Sequence, residues 1–268
     1  MQPTSELGRP DLVAKTFKCM GTVVSLTVPA ATGVRTTAAE AALAEATGVV
    51  ERLFVELDAR FSLYRPGSEA SRVARGELSL RAASQEYRDR YAEAVEWRLL
   101  TEGAFTPERP DGVPDLSGLV KGCAIKEAGA VLHPLGLGDW CLNAGGDVLV
   151  AGSPISGSRA SWQAGIVDPQ DRSTLIAAFP LGGGTSFGAL ATSGSAERGD
   201  HIWTRGSGPS EFRQVTVAAA DIVTADVLAT SVVAGGVRML NRATSGWEVE
   251  VLAIRNDGGI LATPGFRA

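Results

Sequence analysis

Residues 213–255 read RQVTVAAADIVTADVLATSVVAGGVRMLNRATSGWEVEVLAIR. Arg213 to Ala219 and Trp247 to Arg255 have strand character, and a helix is written between them over Ala225 to Ala243. Four more strand-like runs lie upstream: Trp140 to Val150, Ser161 to Val167, Thr174 to Pro180 and Ser186 to Thr192, separated by turns rich in Gly, Pro and Ser. Nearer the N-terminus the apolar period becomes helical. Helices are predicted over Thr37 to Leu57, Gln85 to Thr101 and Lys121 to Val131, the last stopping near His133-Pro134, where His133 reads as a C-terminal cap. One strand, Gly21 to Pro29, precedes them, and residues 1–18 read as a flexible polar tail. Helices and strands neither alternate strictly nor segregate. That order predicts an α+β fold with mostly antiparallel sheets and flanking helices, in a single domain over 1–268.

Composition narrows the function classes. The 268 residues are 44% hydrophobic and 21% charged with a net charge of −5, the profile of a globular chain. A chain of this length buries about 75% of its unfolded surface, so its core needs neither disulfides nor a structural metal. The acidic balance and the lack of basic runs give no means of neutralising a phosphate backbone, so no nucleic-acid partner is expected. Val227 to Val237 is far short of the ~20 apolar residues of a spanning helix, so no membrane span is expected. The opening residues lack a basic segment followed by an apolar one, which predicts a cytoplasmic protein. Cys19, Cys123 and Cys141 are too few and too scattered for a disulfide framework or a thiolate zinc site. Two counts stand out: 32 glycines, where average usage gives about 19, and 2 histidines. The first points to sites built from backbone, and the second leaves oxygen as the donor for any metal.

Four segments can carry chemistry. Asp115-Leu-Ser-Gly-Leu-Val-Lys-Gly122 reads as a glycine-punctuated loop running into a helix. It is either an anion cradle with Lys121 beside it or an ordinary turn with a solvated lysine. Asn143-Ala-Gly-Gly-Asp147 places two glycines inside a strand-like run, either as a structural bulge or as a point of close ligand approach. Asp226 and Thr230 fall four residues apart on one helical face, where hard oxygen donors suit Mg²⁺; alternatively Asp226 complements the helix dipole. His201 lies in a polar, turn-rich passage, as a general base or as a plain loop histidine.

Taken in order, these pieces resemble the ApbE family, the flavin transferases (FAD:protein FMN transferases). The residues that carry the resemblance are Met20-Gly21-Thr22, Phe61-Ser-Leu-Tyr64-Arg-Pro-Gly-Ser68-Glu69, Gly103-Ala104-Phe105 and Asp115 to Gly122. It continues through Asn143 to Asp147, Ala191-Thr192-Ser193-Gly194, His201-Ile202 and Ala225 to Thr230. The resemblance implies a two-lobed fold with a flavin cleft between the lobes. It also implies an Mg²⁺ site on Asp226, Thr230 and the main-chain oxygen of Gly118, and a catalytic role for His201. FAD contacts fall on Met20, Tyr64, Ala104, Phe105, Thr106, Asp115, Lys121 and Ile202. The implied reaction cleaves FAD, passes FMN to a Thr or Ser hydroxyl of an acceptor protein and releases AMP. Two alternatives share the fold: an FAD pyrophosphatase yielding FMN and AMP, and a flavin-binding protein without turnover. The chain departs from the family pattern at Thr106, Lys126 and Thr204, where aspartate is usual. Only nine residues separate Phe105 from Asp115, which implies that a segment walling the cleft is missing.

Overall fold

A computed structural model describes residues 10–30, 37–194 and 210–267. The chain enters on a hairpin, β1 (Leu12–Cys19) and β2 (Thr22–Pro29), in register from Leu12 opposite Pro29 to Cys19 opposite Thr22. Its two turn residues, Met20 and Gly21, have φ of 49° and 70°, the left-handed pair whose twist suits a two-residue hairpin. The expectation of a flexible tail through residue 18 is therefore corrected from Leu12 onward. Phe17 and Cys19 bury one face of β1 while Lys15, Thr16 and Lys18 occupy a sheet edge, and that polar content masks the strand.

Helices α1 (Thr37–Phe61), α2 (Glu69–Ala74), α3 (Gln85–Leu100) and α4 (Ser117–Leu132) come next. They are followed by β3 (Trp140–Ala144), β4 (Asp147–Ala151), β5 (Trp162–Val167), β6 (Leu175–Leu181), β7 (Ala189–Gly194) and β8 (Phe212–Ala219). Helix α5 (Ile222–Gly246) precedes β9 (Glu250–Arg255) and β10 (Ile260–Ala262). Eight strands form one antiparallel sheet in the order β1-β2-β3-β4-β7-β8-β9-β10, and β5 pairs with β6 separately. The α+β architecture with mostly antiparallel sheet is the expected one.

Alternation along the central strands builds two cores. Ala189 and Ala191 of β7 and Val215, Val217 and Ala219 of β8 face α5, in the core that also takes residues of α1 and α4. The intervening Val148, Val150, Leu190 and Ala218 pack under the β5–β6 hairpin with Trp162, Ile166, Phe179 and Leu181. The helical side positions the site.

Two elements differ from expectation. Trp140 to Val150 is not one strand but a hairpin: Ala144 faces Asp147 across Gly145 (φ 65°) and Gly146 (φ 97°). The glycine pair makes the turn rather than a bulge, because both positions need positive φ. Helix α5 starts three residues early, capped by Asp221, and is broken at Gly236 (φ 62°, ψ −154°). There Glu211 accepts the Val237 N–H at 3.3 Å, and Ser210 donates to the Val233 carbonyl at 2.6 Å, so side chains satisfy backbone groups that the break releases. By length and composition α5 is apolar enough to cross a membrane, but 67% of its apolar window is buried, against β7, β8 and α4. It has the burial of a core helix.

Candidate active site

Two glycine-spaced contacts bring the functional residues together. Helix α4 begins at Ser117, whose N–H donates to Asp115 Oδ1 at 3.0 Å. The stretch expected as a loop is thus helical through Gly118, Lys121 and Gly122. Its glycines serve close approach. A Cβ on Gly118 would stand 3.2 Å from the Phe105 ring, and one on Gly122 would stand 3.2 Å from Val223 Cα and 3.3 Å from Asp226 Oδ2. Gly122 therefore seats α5 against α4 and sets Asp226 beside Lys121.

Lys121 Nζ lies between two carboxylates. It makes an ion pair with Asp147 Oδ2 and stands 3.6 Å from Asp226 Oδ1. The side chains are 13%, 0% and 3% exposed for Lys121, Asp147 and Asp226, so water screens the cluster little. Asp147 Oδ1 also accepts the Thr192 N–H at 3.0 Å, which fixes the carboxylate from β7. Thr230 lies one turn beyond Asp226, with Oγ1 2.9 Å from Ser193 Oγ. The site thus joins the first turns of α4 and α5 with the start of β4 and the end of β7.

Asp147 closes the Asn143–Asp147 motif, whose spacing alone assigns it no role. Its signal was a carboxylate at the first position after a two-glycine turn, entering a strand with Val148 and Val150. Asp147 is buried in the structure, and a buried charge needs a partner.

The remaining expected residues are spread around this centre. Met20 is half-buried at the β1–β2 turn and borders an open cavity of about 720 Å³ with Thr22, Val55, Asp58 and Arg65. The β3–β4 turn closes on this hairpin, with the Gly145 N–H donating to the Val23 carbonyl at 3.1 Å. Tyr64 is 82% exposed, next to Arg65, whose Nε donates to Asp58 Oδ2 at 2.5 Å. Ala104 packs against α5 where a Cβ on Gly235 would stand 3.2 Å away. Phe105 is buried. Thr106 donates to Glu108 Oε2 at 2.9 Å, and Glu108 also accepts from Tyr91 at 2.5 Å and Arg98 at 3.2 Å. Lys126 pairs at 2.7 Å with Asp221, the α5 cap, and that hydrogen bond raises the lysine pKa. His201, Ile202 and Thr204 lie outside the described residues.

Cys123 is no nucleophile here: burial, reinforced by Glu93, pushes its thiol up to about 12. Among the described residues, no three His, Cys, Asp or Glu side chains form a metal cage. A hard divalent cation needs none, since one or two carboxylates and substrate phosphates suffice. Asp226 and Thr230, four residues apart on α5, supply a carboxylate and a hydroxyl, oxygens of the type such an ion takes. The residues present fit such an ion.

The fold has counterparts among solved structures. The structure resembles the flavin transferase ApbE of Vibrio cholerae with a TM-score of 0.74 and 23% identity, over 97% of this chain and 99% of that one. It also resembles the ApbE protein of Thermotoga maritima, with a TM-score of 0.73 and 19% identity over 96% and 98% of the two chains. The flavinyl transferase ApbE of Pseudomonas stutzeri gives a TM-score of 0.71 and 16% identity, over 98% of each chain. No curated protein matches the sequence. The model of the ApbE family matches residues 20–110 and 108–252, two stretches that meet in the short connection ahead of Asp115. Matched over most of its length, the chain belongs to the ApbE family.

Proposed function

We propose that the protein is an Mg²⁺-dependent FAD:protein FMN transferase. What supports this most directly is Lys121 set beside Asp226 where α4 meets α5, with Thr230 one turn further along α5, within the fold of its family. The relatives named above as flavin transferases support the class of reaction. Asp226, Thr230 and the Gly118 carbonyl would hold Mg²⁺. When bound, the ion supplies positive charge to the diphosphate of FAD. Lys121 adds a second positive charge at the start of α4, and Met20, Tyr64, Ala104, Phe105, Thr106, Asp115 and Ile202 would contact the rest of FAD. His201 would accept the proton of the incoming Thr or Ser hydroxyl. Its oxygen bonds to the FMN phosphorus, the bond to the bridging oxygen breaks, and AMP leaves with that oxygen.

The test incubates the protein with FAD, Mg²⁺ and candidate acceptor proteins. An acceptor mass increase equal to FMN, with AMP released, is expected. AMP release without any acceptor adduct would assign a pyrophosphatase instead, and FAD binding without AMP at any Mg²⁺ concentration would assign a flavin binder.

A further inference from the structure

We infer that Ser193 is a positioning residue that accepts the hydrogen bond of the Thr230 hydroxyl and so turns the lone pairs of Thr230 toward a divalent cation. The inference rests on the reading of Asp226 and Thr230 as cation ligands, and it leaves Asp226 in its ion pair with Lys121. Placement carries the first step. Alternation along β7 puts Ser193 on the face that Ala189 and Ala191 turn to α5, and its Oγ stands 2.9 Å from Thr230 Oγ1.

The second step is that Thr230 departs from the habit of other helical hydroxyls in this protein. Thr47, Ser231 and Thr244 each donate to the main-chain carbonyl four residues earlier, at 2.6–3.0 Å, where a helical Ser or Thr finds its nearest acceptor. Ser231 does so although it is the very next residue of α5. Thr230 instead meets a side chain from the facing strand. A hydroxyl has one proton and two lone pairs, so an oxygen that gives a lone pair to a cation must aim its proton elsewhere. Across 2.9 Å either oxygen of the pair can donate. With a cation on Thr230 the direction is set, because a ligated oxygen turns its proton away from the positive charge. Ser193 then receives that proton, and Thr230 is held in one orientation before any ion arrives.

The experiment measures binding of Mn²⁺ alone, without FAD, by the loss of its free-ion electron paramagnetic resonance signal, with thermal unfolding run on every sample. Mn²⁺ takes the same hard oxygen ligands as Mg²⁺. The full chain is compared with Ser193→Ala, Ser193→Thr, Thr230→Val, Asp226→Ala and the combination of Ser193→Ala with Thr230→Val. Ser193→Ala should weaken binding about tenfold, the lower end of what loss of a ligand's hydrogen-bond partner costs. Ser193→Thr keeps the hydroxyl and should bind within about twofold of the unaltered protein. In the Thr230→Val background Ser193→Ala should change affinity less than about twofold, because no hydroxyl is left to orient. Equal weakening in both backgrounds, or in Ser193→Thr and Ser193→Ala alike, would overturn the inference, since Ser193 would then act other than through a hydrogen bond to Thr230. Should Ser193→Ala fail to fold, Ser193→Cys, a weaker acceptor of similar size, decides by the same comparison. Binding that depends on Thr230 but not on Ser193 would remove the inference alone and leave the pair a structural link between β7 and α5, visible only in the unfolding temperature. No Mn²⁺ uptake by the unaltered protein, or uptake indifferent to Asp226→Ala and Thr230→Val, would remove the ligands themselves and the inference with them.

Discussion

Replacing Gly122 by Ala adds one methyl group at the closest approach of α4 and α5, and it should disturb the site more than the fold. In a helix interior the exchange by itself is worth about 1 kcal/mol in favour of Ala. The new Cβ would stand 3.2 Å from Val223 Cα and 3.3 Å from Asp226 Oδ2, where carbon contacts ordinarily lie at about 3.5–4.0 Å. Val223 Cα is backbone and cannot turn aside, so α5 must retreat by a few tenths of an ångström. Overpacking of this kind costs about 1–3 kcal/mol, which leaves a net loss of about 0–2 kcal/mol. In a domain of this size that is a fall in Tm of at most about 8 °C. Gly48, in α1, is the control, since a Cβ there meets only Arg52 Nη1 at 3.6 Å. Gly48→Ala should raise stability by up to about 1 kcal/mol. Because the retreat carries Asp226 with it, AMP release by Gly122→Ala should fall about three- to tenfold, beyond what its folded fraction explains. Urea unfolding and AMP release, measured on both variants, check this. If Gly122→Ala is stabilised as much as Gly48→Ala and turns over normally, the α4–α5 contact does not set the position of Asp226.

Further outcomes are expected elsewhere. Asp226→Ala should lower Mg²⁺-dependent release of AMP at least a hundredfold while the circular dichroism spectrum is retained; turnover at the original rate would place the ion on other residues. Gly236→Ala should cost about 2 kcal/mol or more, read by urea unfolding, because its φ of 62° disfavours a side chain and the methyl group would strike the Glu211 carboxylate. Stability should also fall at alkaline pH. Burial raises the Tyr87 hydroxyl from 10 and the Cys123 thiol from 9, each to about 12, so the unfolded chain gives up these protons first. These two groups leave stability level below about pH 9 and remove it progressively toward pH 12, by about 2–4 kcal/mol between pH 9 and 11, and Cys123→Ala should flatten the early part of that fall.

What could be read from the residues was local. The apolar run of α5 and the shared face of Asp226 and Thr230 follow from the 3.6-residue period, and the structure departs from that reading at the helix ends and at Gly236, where tandem glycines conceal a change of helix axis. The strand content of the second half was legible because Gly, Pro and Ser punctuate it. The β3–β4 hairpin was missed because Gly145-Gly146 fits a bulge and a tight turn equally well until the partner strand is known. Strand β1 was missed because an edge strand with lysines looks like a solvated tail. The place of Asp147 in the ion-pair cluster was not legible, since it depends on Lys121 arriving from α4 and Thr192 from β7. The site lies in pairings between distant segments, and a period along one segment does not encode them.

Those distant pairings also govern how the protein reaches its native state. Strand β2 pairs Val24 with Ala144 while α1 to α4 lie between them, and Asp226 and Thr230 on α5 join only after β7 and β8 are laid beside β4. Closing such loops costs entropy before the contacts repay it, so folding should be slow for a chain of this size, with the carboxylates among the last groups to meet. A ligand taken up under the proposed function would then recognise only the finished molecule. Bound ligand should prolong the lifetime of the native protein by slowing unfolding, and leave the rate of refolding almost unchanged.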